Sequence, residues 1–344
     1  MKKNVNKRIF IEIGVFALLI LIVGYLLFAD VNLIKEKEED LDIYFFTGGS
    51  IDSAFSGIVY NGAKDAAENL GLKINYVDSG WDGVKLKKQF DEIFDKNPDI
   101  IIILGSFAEE EEALEIMKIA ESRGILITFW NSDNPFVRKK NMLEGTGYVG
   151  QETYSSGEQL ALYGIVNYDL DEEDSEAIVF GVIDVEDGDY TARELRTLGI
   201  LEGLRENDIK VNYYESSHDE GTIANIVDDV YEKFKDNENV KAVFIDDIET
   251  EKYFVELMKR EGIDPDRYVV SSFDLFPEVL DFLEDGYVDY VSDQQPYLQG
   301  YLPVLNSYLT KKYGFPGFYV DTGSGIVRPG DARDLKDLVD QKIR

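Results

Sequence analysis

A chain of 344 residues is long enough for two domains, and its 44% apolar content can fill real cores. The absence of cysteine excludes disulfides, thiolate metal sites, cysteine nucleophiles and lipid attachment through a cysteine, and a single histidine, His218, rules out a multi-histidine metal site. Acidic residues so outnumber basic ones that the formal net charge is −33, a field that repels phosphate backbones and argues against nucleic acid as a partner.

The chain opens with Lys2, Lys3, Lys7 and Arg8 ahead of the apolar run Ile9–Ala29, interrupted only by Glu12. Its uncharged part, Ile13–Ala29, lies at the short end of the ~17–25 residues that a spanning helix needs, and is longer than the apolar core of most cleaved signals. The basic flank predicts a cytoplasmic start and an extracytoplasmic remainder. Leu27-Phe28-Ala29 is a poor cleavage match. Residues 9–29 therefore read as a transmembrane anchor in the cytoplasmic membrane; removal of the segment would make the protein periplasmic or secreted. Residues 30–40, which include the charged run Lys35–Asp40, read as a linker.

From Leu41 the pattern alternates. Leu41–Phe46 reads as a strand, and Phe55, Ile58, Val59, Gly62, Ala63, Ala66, Ala67 and Leu70 then recur at helical spacing up to a stop at Gly71. Strand Leu72–Val77, helix Val84–Phe94, strand Asp99–Leu104, helix Ala108–Ser122 and strand Ile125–Trp130 follow. The second half repeats the scheme: helix Tyr154–Tyr168, strand Ala177–Ile183, helix Ala192–Glu206, strand Lys210–Tyr214, helix Thr222–Phe234, strand Lys241–Ile245, helix Thr250–Arg260, strand Tyr268–Ser272, helix Pro277–Asp285, strand Tyr287–Ser292 and helix Pro296–Tyr313. Strands alternating with helices of this length predict an α/β protein with parallel sheets covered on both faces. About ten strands is too many for one ordinary sheet and predicts two doubly wound lobes of about five each.

Ligands of such sheets collect beyond the carboxyl ends of the strands. The residues there are Thr47-Gly48-Gly49-Ser50, Gly105-Ser106, Asn131-Ser132-Asp133, Asp184, Asp246-Asp247, Phe273-Asp274 and Asp293-Gln294-Gln295, with Phe55, Trp130 and Phe273 beside them. Carboxylates and amides make paired hydrogen bonds to vicinal hydroxyls, and aromatic faces cover the C–H side of a pyranose, so this rim suits a polyol. Each of these polar residues is equally at home as a turn or helix-cap residue.

Phe55 with Gly62-Ala63, Pro98-Asp99-Ile100, Gly124-Ile125 leading to Asn131-Ser132-Asp133, Ala192-Arg193-Glu194, Phe273-Asp274 and the stretch Asp293–Tyr301 occur in one order. In that order they resemble the sugar-binding ribose/galactose/xylose branch of the type I periplasmic binding proteins, the substrate-binding proteins of ABC transporters, from about Leu41 to Val327. The resemblance implies that Phe55 stacks on the sugar, that Asn131 stands where the family has an aspartate, with Asp133 close by, and that Arg193 contacts ligand oxygens from the other lobe. It further implies ligand roles for Asp247, for Asp274 after the aromatic Phe273, and for the hinge-side Gln294. His218 falls near a position often aromatic in the family, and Ser56 where some ribose binders have a second aromatic. The resemblance also implies discontinuous lobes, residues 41–146 with 295–321 and residues 147–294 with 322–340. They are joined by crossovers near Gly145–Gly150, Ser292–Gln295 and Asp321–Gly325.

The implied function is capture of a sugar by hinge closure and delivery to an ABC permease, by a monomer with no cofactor, no metal and no catalytic residue. A membrane-anchored sugar sensor feeding a sensor kinase or chemoreceptor is the alternative. Arg193 would offset the cleft carboxylates and favour neutral polyols. An enzyme fits less well, since no phosphate-binding motif follows Thr47-Gly48-Gly49-Ser50. As neighbours on a strand end, Asp246 and Asp247 are expected to point to opposite sides rather than face one another across a glycosidic bond. A repressor of the same fold lacks the helix-turn-helix that would precede Leu41.

Overall fold

The structure is a computed structural model and describes residues 41–141, 146–170, 174–183, 192–216 and 220–344. The proposed anchor at 9–29, the linker at 30–40, Asp184 and His218 lie outside the described residues. Among the described residues no helix is long and apolar enough to cross a membrane.

Among the described residues twelve strands form two six-stranded sheets. The first contains β1 (Ile43–Gly48), β2 (Ile74–Asp78), β3 (Ile100–Leu104), β4 (Leu126–Trp130), β5 (Tyr148–Gly150) and β11 (Tyr319–Asp321), in the order β11-β5-β4-β3-β1-β2. The second contains β6 (Glu176–Gly181), β7 (Lys210–Glu215), β8 (Val240–Ile245), β9 (Val269–Phe273), β10 (Tyr290–Asp293) and β12 (Gly325–Val327), in the order β12-β10-β9-β8-β6-β7. The two orders are the same, so the halves repeat one topology. Every pairing is parallel except β10 with β12.

The helices are α1 (Ala54–Leu70), α2 (Gly83–Phe94), α3 (Glu110–Arg123), α4 (Pro135–Asn141), α5 (Thr153–Asn167), α6 (Ala192–Arg205), α7 (Glu220–Phe234), α8 (Ile248–Glu261), α9 (Pro277–Glu284), α10 (Pro296–Tyr313) and α11 (Pro329–Asp340). The central strands are continuous apolar runs because helices cover both faces; β3, IIIIL, is buried throughout. On β6 the alternation assigns Ile178 and Phe180 to one core with α7 and α8, and Ala177 and Val179 to the other with α5 and α6. Helix α1 stops as expected at Gly71, whose left-handed backbone (φ 69°) lets its N–H reach the Ala67 and Glu68 carbonyls.

Two helix pairs cross with no room for side chains between them. A Cβ on Gly62 would overlap the Tyr297 carbonyl of α10, and one on Gly300 the Val59 carbonyl of α1. In the second half a Cβ on Gly157 would overlap the Arg196 carbonyl, and one on Gly199 the Tyr154 carbonyl. Phe55 and Arg193 stand in the first turns of α1 and α6, the helices that these crossings fix against α10 and α5.

The chain passes from one sheet to the other between β5 and α5, between β10 and α10, and between β11 and β12. Tyr148–Gly150 pairs with both β4 and β11, so the first sheet runs on to Gly150 and the lobe change expected at 146/147 comes later. The crossings are stitched together: Gln151 Nε2 donates to Ser292 Oγ at 3.5 Å, Gln295 Nε2 to the Thr322 carbonyl at 2.9 Å and Gln299 Nε2 to Thr322 Oγ1 at 3.2 Å. Asp293, expected on the rim, is fully buried in the crossing, where it receives the Gln295 N–H at 2.8 Å and pairs with Arg344 at 2.7 Å.

Candidate functional site

Asn131 follows β4 and Asp274 follows β9, the equivalent strand of the second sheet. Both have left-handed backbones, φ 59° and 73°, a conformation that Asn and Asp tolerate better than most residues. Each donates its N–H to the neighbouring strand, Asn131 to Val149 and Asp274 to Ser292. This sharp turn lifts the two side chains off their strands and toward the crossings.

Gln294 lies between them. Its side-chain Oε1 accepts from Asn131 Nδ2 at 3.5 Å and from Gln299 Nε2 at 3.2 Å, and its Nε2 donates to Asp274 Oδ1. Asn131 Nδ2 also reaches Gln299 Oε1 at 3.1 Å. The other Asp274 oxygen is 4.0 Å from Arg196, whose Nε donates to Gln151 Oε1 at 2.7 Å. Three of the predicted site residues, Asn131, Asp274 and Gln294, thus form one network across both sheets.

A second group stands on the rim of the second sheet. A terminal nitrogen of Arg193 meets Asp246 Oδ1 at 2.6 Å, Ser216 Oγ at 2.8 Å and Asp247 Oδ2 at 3.1 Å. The two neighbouring aspartates therefore share one cation instead of diverging. The reason is that α8 starts immediately after them: Asp247 is its N-cap and accepts from Thr250 N and Thr250 Oγ1, while Asp246 points inward and accepts from Thr197 at 3.1 Å. Burial pushes the Asp246 carboxyl up to about 6 despite Arg193. Burial works against the Arg193 charge too, but Asp246, Asp247 and Asp274 hold its pKa above the ordinary value.

Beneath this group lies Glu251, fully buried, with Oε2 accepting from Ser272 at 2.8 Å. Burial, then the charges of Asp247 and Asp274, raise it to about 8, so it is neutral at pH 7.

Phe55 stands at the start of α1, half-buried, its ring 6.0 Å from that of Trp81. Asp133 has both oxygens engaged by Arg138 Nε at 3.0 Å; burial raises its pKa while Arg138 opposes the shift. The other two aromatics expected beside the rim belong to the core. Trp130 is fully buried and donates its indole N–H to the Phe46 carbonyl at 2.9 Å, and Phe273 is fully buried under Arg196. Trp81, Gln151 and Arg196 were not singled out by sequence reasoning, while Asp246 entered as a rim residue and Gln299 within the stretch Asp293–Tyr301. Trp81 follows β2 within the turn Ser79-Gly80-Trp81-Asp82-Gly83, and that turn at a strand end, with an aromatic ring in it, was the available signal.

A cavity of about 720 Å³ opens at Asn131. Ser106, Ser132, Asp133 and Trp81 line it from the first half, and Ala192 and Leu195 of α6 from the second. Among the described residues no group of three or more His, Asp or Glu side chains is placed to hold a metal ion. The arrangement is therefore a polar cleft between two like α/β halves, rich in carboxylates, amides and hydroxyls, the architecture of a two-lobed ligand-binding protein.

The sequence profile of the periplasmic binding protein domain matches residues 43–309, and the chain belongs to that family. A curated relative, the xylose/arabinose-binding protein XylF of Sulfolobus acidocaldarius, is 26% identical over 219 residues, which is 60% of this chain and about half (52%) of that protein. A glucose-galactose binding protein from Geobacillus stearothermophilus superposes with a TM-score of 0.68 at 19% identity, covering 85% of this chain and 99% of its own. A solute-binding protein of an ABC transporter from Burkholderia graminis, in complex with D-arabinose, gives 0.69 at 21% identity, covering 86% and 98%. A carbohydrate transporter structure from Acidothermus cellulolyticus with myo-inositol gives 0.67 at 17%, covering 89% and 100%. At these identities the structures establish the shared fold.

Proposed function

We propose that this protein captures a neutral sugar in the cleft between its two halves, without altering it chemically, and delivers it to an ABC permease. The observation that carries the reading is the Asn131–Gln294–Asp274 network, in which polar side chains from both sheets and a crossing converge. Its xylose- and arabinose-binding relative, and structural neighbours solved with D-arabinose and myo-inositol, support a hydroxyl-rich ligand. Ring hydroxyls exchange for the present bonds of Asn131, Gln294 and Asp274, while Phe55 covers an apolar face and Arg193 and Asp247 close from the second half. Neutral hydrogen bonds contribute about 0.5–1.5 kcal/mol net and charged ones about 1.5–3, so five or six reach the ~8 kcal/mol of a micromolar complex.

The two halves act as lobes, and the three crossings are the hinge; the ligand biases closure by its preference for the closed form. In this reading residues 9–29 anchor a monomeric, extracytoplasmic receptor to the cytoplasmic membrane beside its permease. A thermal-shift screen of the full chain over pentoses, hexoses, inositols and the corresponding sugar acids tests the proposal. Stabilisation by at least one neutral polyol is expected. A response confined to the acids, or turnover of the bound sugar, contradicts it.

A further inference from the structure

The polar network and the cavity do not coincide. Arg193, Asp247, Asp274 and Gln294 stand outside the cavity lining, and Asn131 is where network and cavity meet. Besides Asn131, the cavity is lined by Ser106 and Ser132, whose hydroxyls touch one another at 3.1 Å, and by Trp81 and Leu86. At ~30 Å³ per water-sized group, 720 Å³ takes about two dozen, against about a dozen non-hydrogen atoms in a hexose. A ring held at Asn131 therefore fills about half of this space and leaves the rest open.

Trp81 is built into the far wall. Its backbone is left-handed (φ 58°), and its N–H donates to the Gly48 carbonyl at 3.1 Å. The indole lies against the Gly48–Gly49 turn, where a Cβ on Gly48 would come within 2.6 Å of Cη2. Even so, the residue remains 52% exposed. A large aromatic held in place and left open to a cavity suits the apolar face of a pyranose. Asp133 and Arg138 on the wall pair with one another, and the remaining charged lining residues are of both signs, Asp82 and Glu152 against Lys139, so the wall carries no single-sign patch for an ionic guest.

We propose that the cavity is a second carbohydrate subsite, in which Trp81 stacks on a ring linked to the one held at Asn131, Asp274 and Gln294. The ligand is then a disaccharide or a glycoside of comparable size, in preference to a free monosaccharide. This rests on the sugar-binding reading above and specifies its substrate class.

Titration calorimetry of the full chain against maltose, cellobiose, lactose and their component monosaccharides tests it. At least one disaccharide is expected to bind about tenfold more tightly than either component, the contribution of a stacked aromatic ring. Trp81→Gly, which suits the left-handed backbone, should weaken that disaccharide several-fold more than the monosaccharide, whose ring meets Trp81 only through Phe55. Trp81→Phe should recover most of the difference. Acrylamide quenching of the unmodified chain gives a readout without substitution, because Trp130 is buried and Trp81 is the accessible one of the two tryptophans. The disaccharide should shield it more than the monosaccharide does. Monosaccharide binding that no disaccharide exceeds, or an equal loss of both ligands in Trp81→Gly, overturns the subsite while leaving sugar binding intact. Binding of none of these sugars overturns the subsite for such disaccharides, and sugar binding itself falls only if the pentoses and inositols of the thermal-shift screen also fail to bind.

Discussion

Asn131 and Asp274 occupy equivalent positions in the two halves, each one residue beyond the same strand of its sheet, and a single side chain, Gln294, bonds to both. The relationship explains how two similar folds make one site. Each half supplies a left-handed turn that presents a short polar side chain, and the crossing from β10 to α10 supplies the group between them. Gln295, the next residue, is itself left-handed (φ 56°), which swings the chain from strand into helix and leaves Gln294 facing the turn tips.

Arg193 holds two carboxylates together, so its loss is expected to be costly and pH-dependent. Arg193→Leu leaves Asp246 buried without its cation, and breaking such a pair costs about 3 kcal/mol or more. Asp246 already titrates at about 6, and removing the cation raises it further. Below that pH the carboxyl is neutral and the penalty shrinks. Urea denaturation of the variant should therefore show a larger loss at pH 8 than at pH 5; an equal loss at both would argue that packing, not charge, explains it.

Glu251 predicts the opposite kind of slope. Its folded pKa of about 8 is above the ordinary 4.5, so the folded chain holds a proton that the unfolded chain releases. Its contribution is complete below pH 4.5 and is lost as the pH rises through 8. Glu251→Gln keeps the shape and removes the titration. Relative to the unsubstituted chain, the variant should gain on the order of 3 kcal/mol between pH 5 and pH 8. Parallel stability curves for the two proteins would refute the buried, protonated state.

The glycine crossings make a structural prediction independent of ligand. Gly62→Ala and Gly157→Ala each force a methyl group into a facing carbonyl oxygen, and overpacking of this kind costs about 1–3 kcal/mol. Gly330→Ala on α11 is the control, since a methyl there meets nothing within 4 Å and alanine favours the helix. Thermal unfolding should fall for the first two and hold or rise for the third.

Much of this molecule is legible in its sequence, and the exceptions have physical causes. Long apolar runs such as Ile100–Leu104 and the helical spacing from Phe55 to Leu70 leave little choice of element, and chain direction then places Asn131, Asp274 and Gln294 at the strand tips. The three-residue strands β5, β11 and β12 carry no periodicity and are held by pairing alone. Whether an aromatic at a strand end faces core or cleft depends on its place in the pleat and on the next turn. Trp130 and Phe273 are the last residues of their strands and turn inward, and the left-handed residue after each does the presenting. Asp246 and Asp247 converge because a helix begins at Ile248, whose start the alternation alone does not locate to the residue.

The most direct test of the account compares Asn131→Ala and Asp274→Asn by titration calorimetry with the tightest sugar found in the screen, alongside circular dichroism of each. The substituted residues stand on different sheets, and Asp274→Asn keeps both the shape and a residue tolerant of the left-handed turn. Both variants should remain folded, and each should bind that one sugar at least about tenfold more weakly. Unchanged affinity in either folded variant would mean that the sugar does not bridge the two halves, and the shared cleft would have to be abandoned.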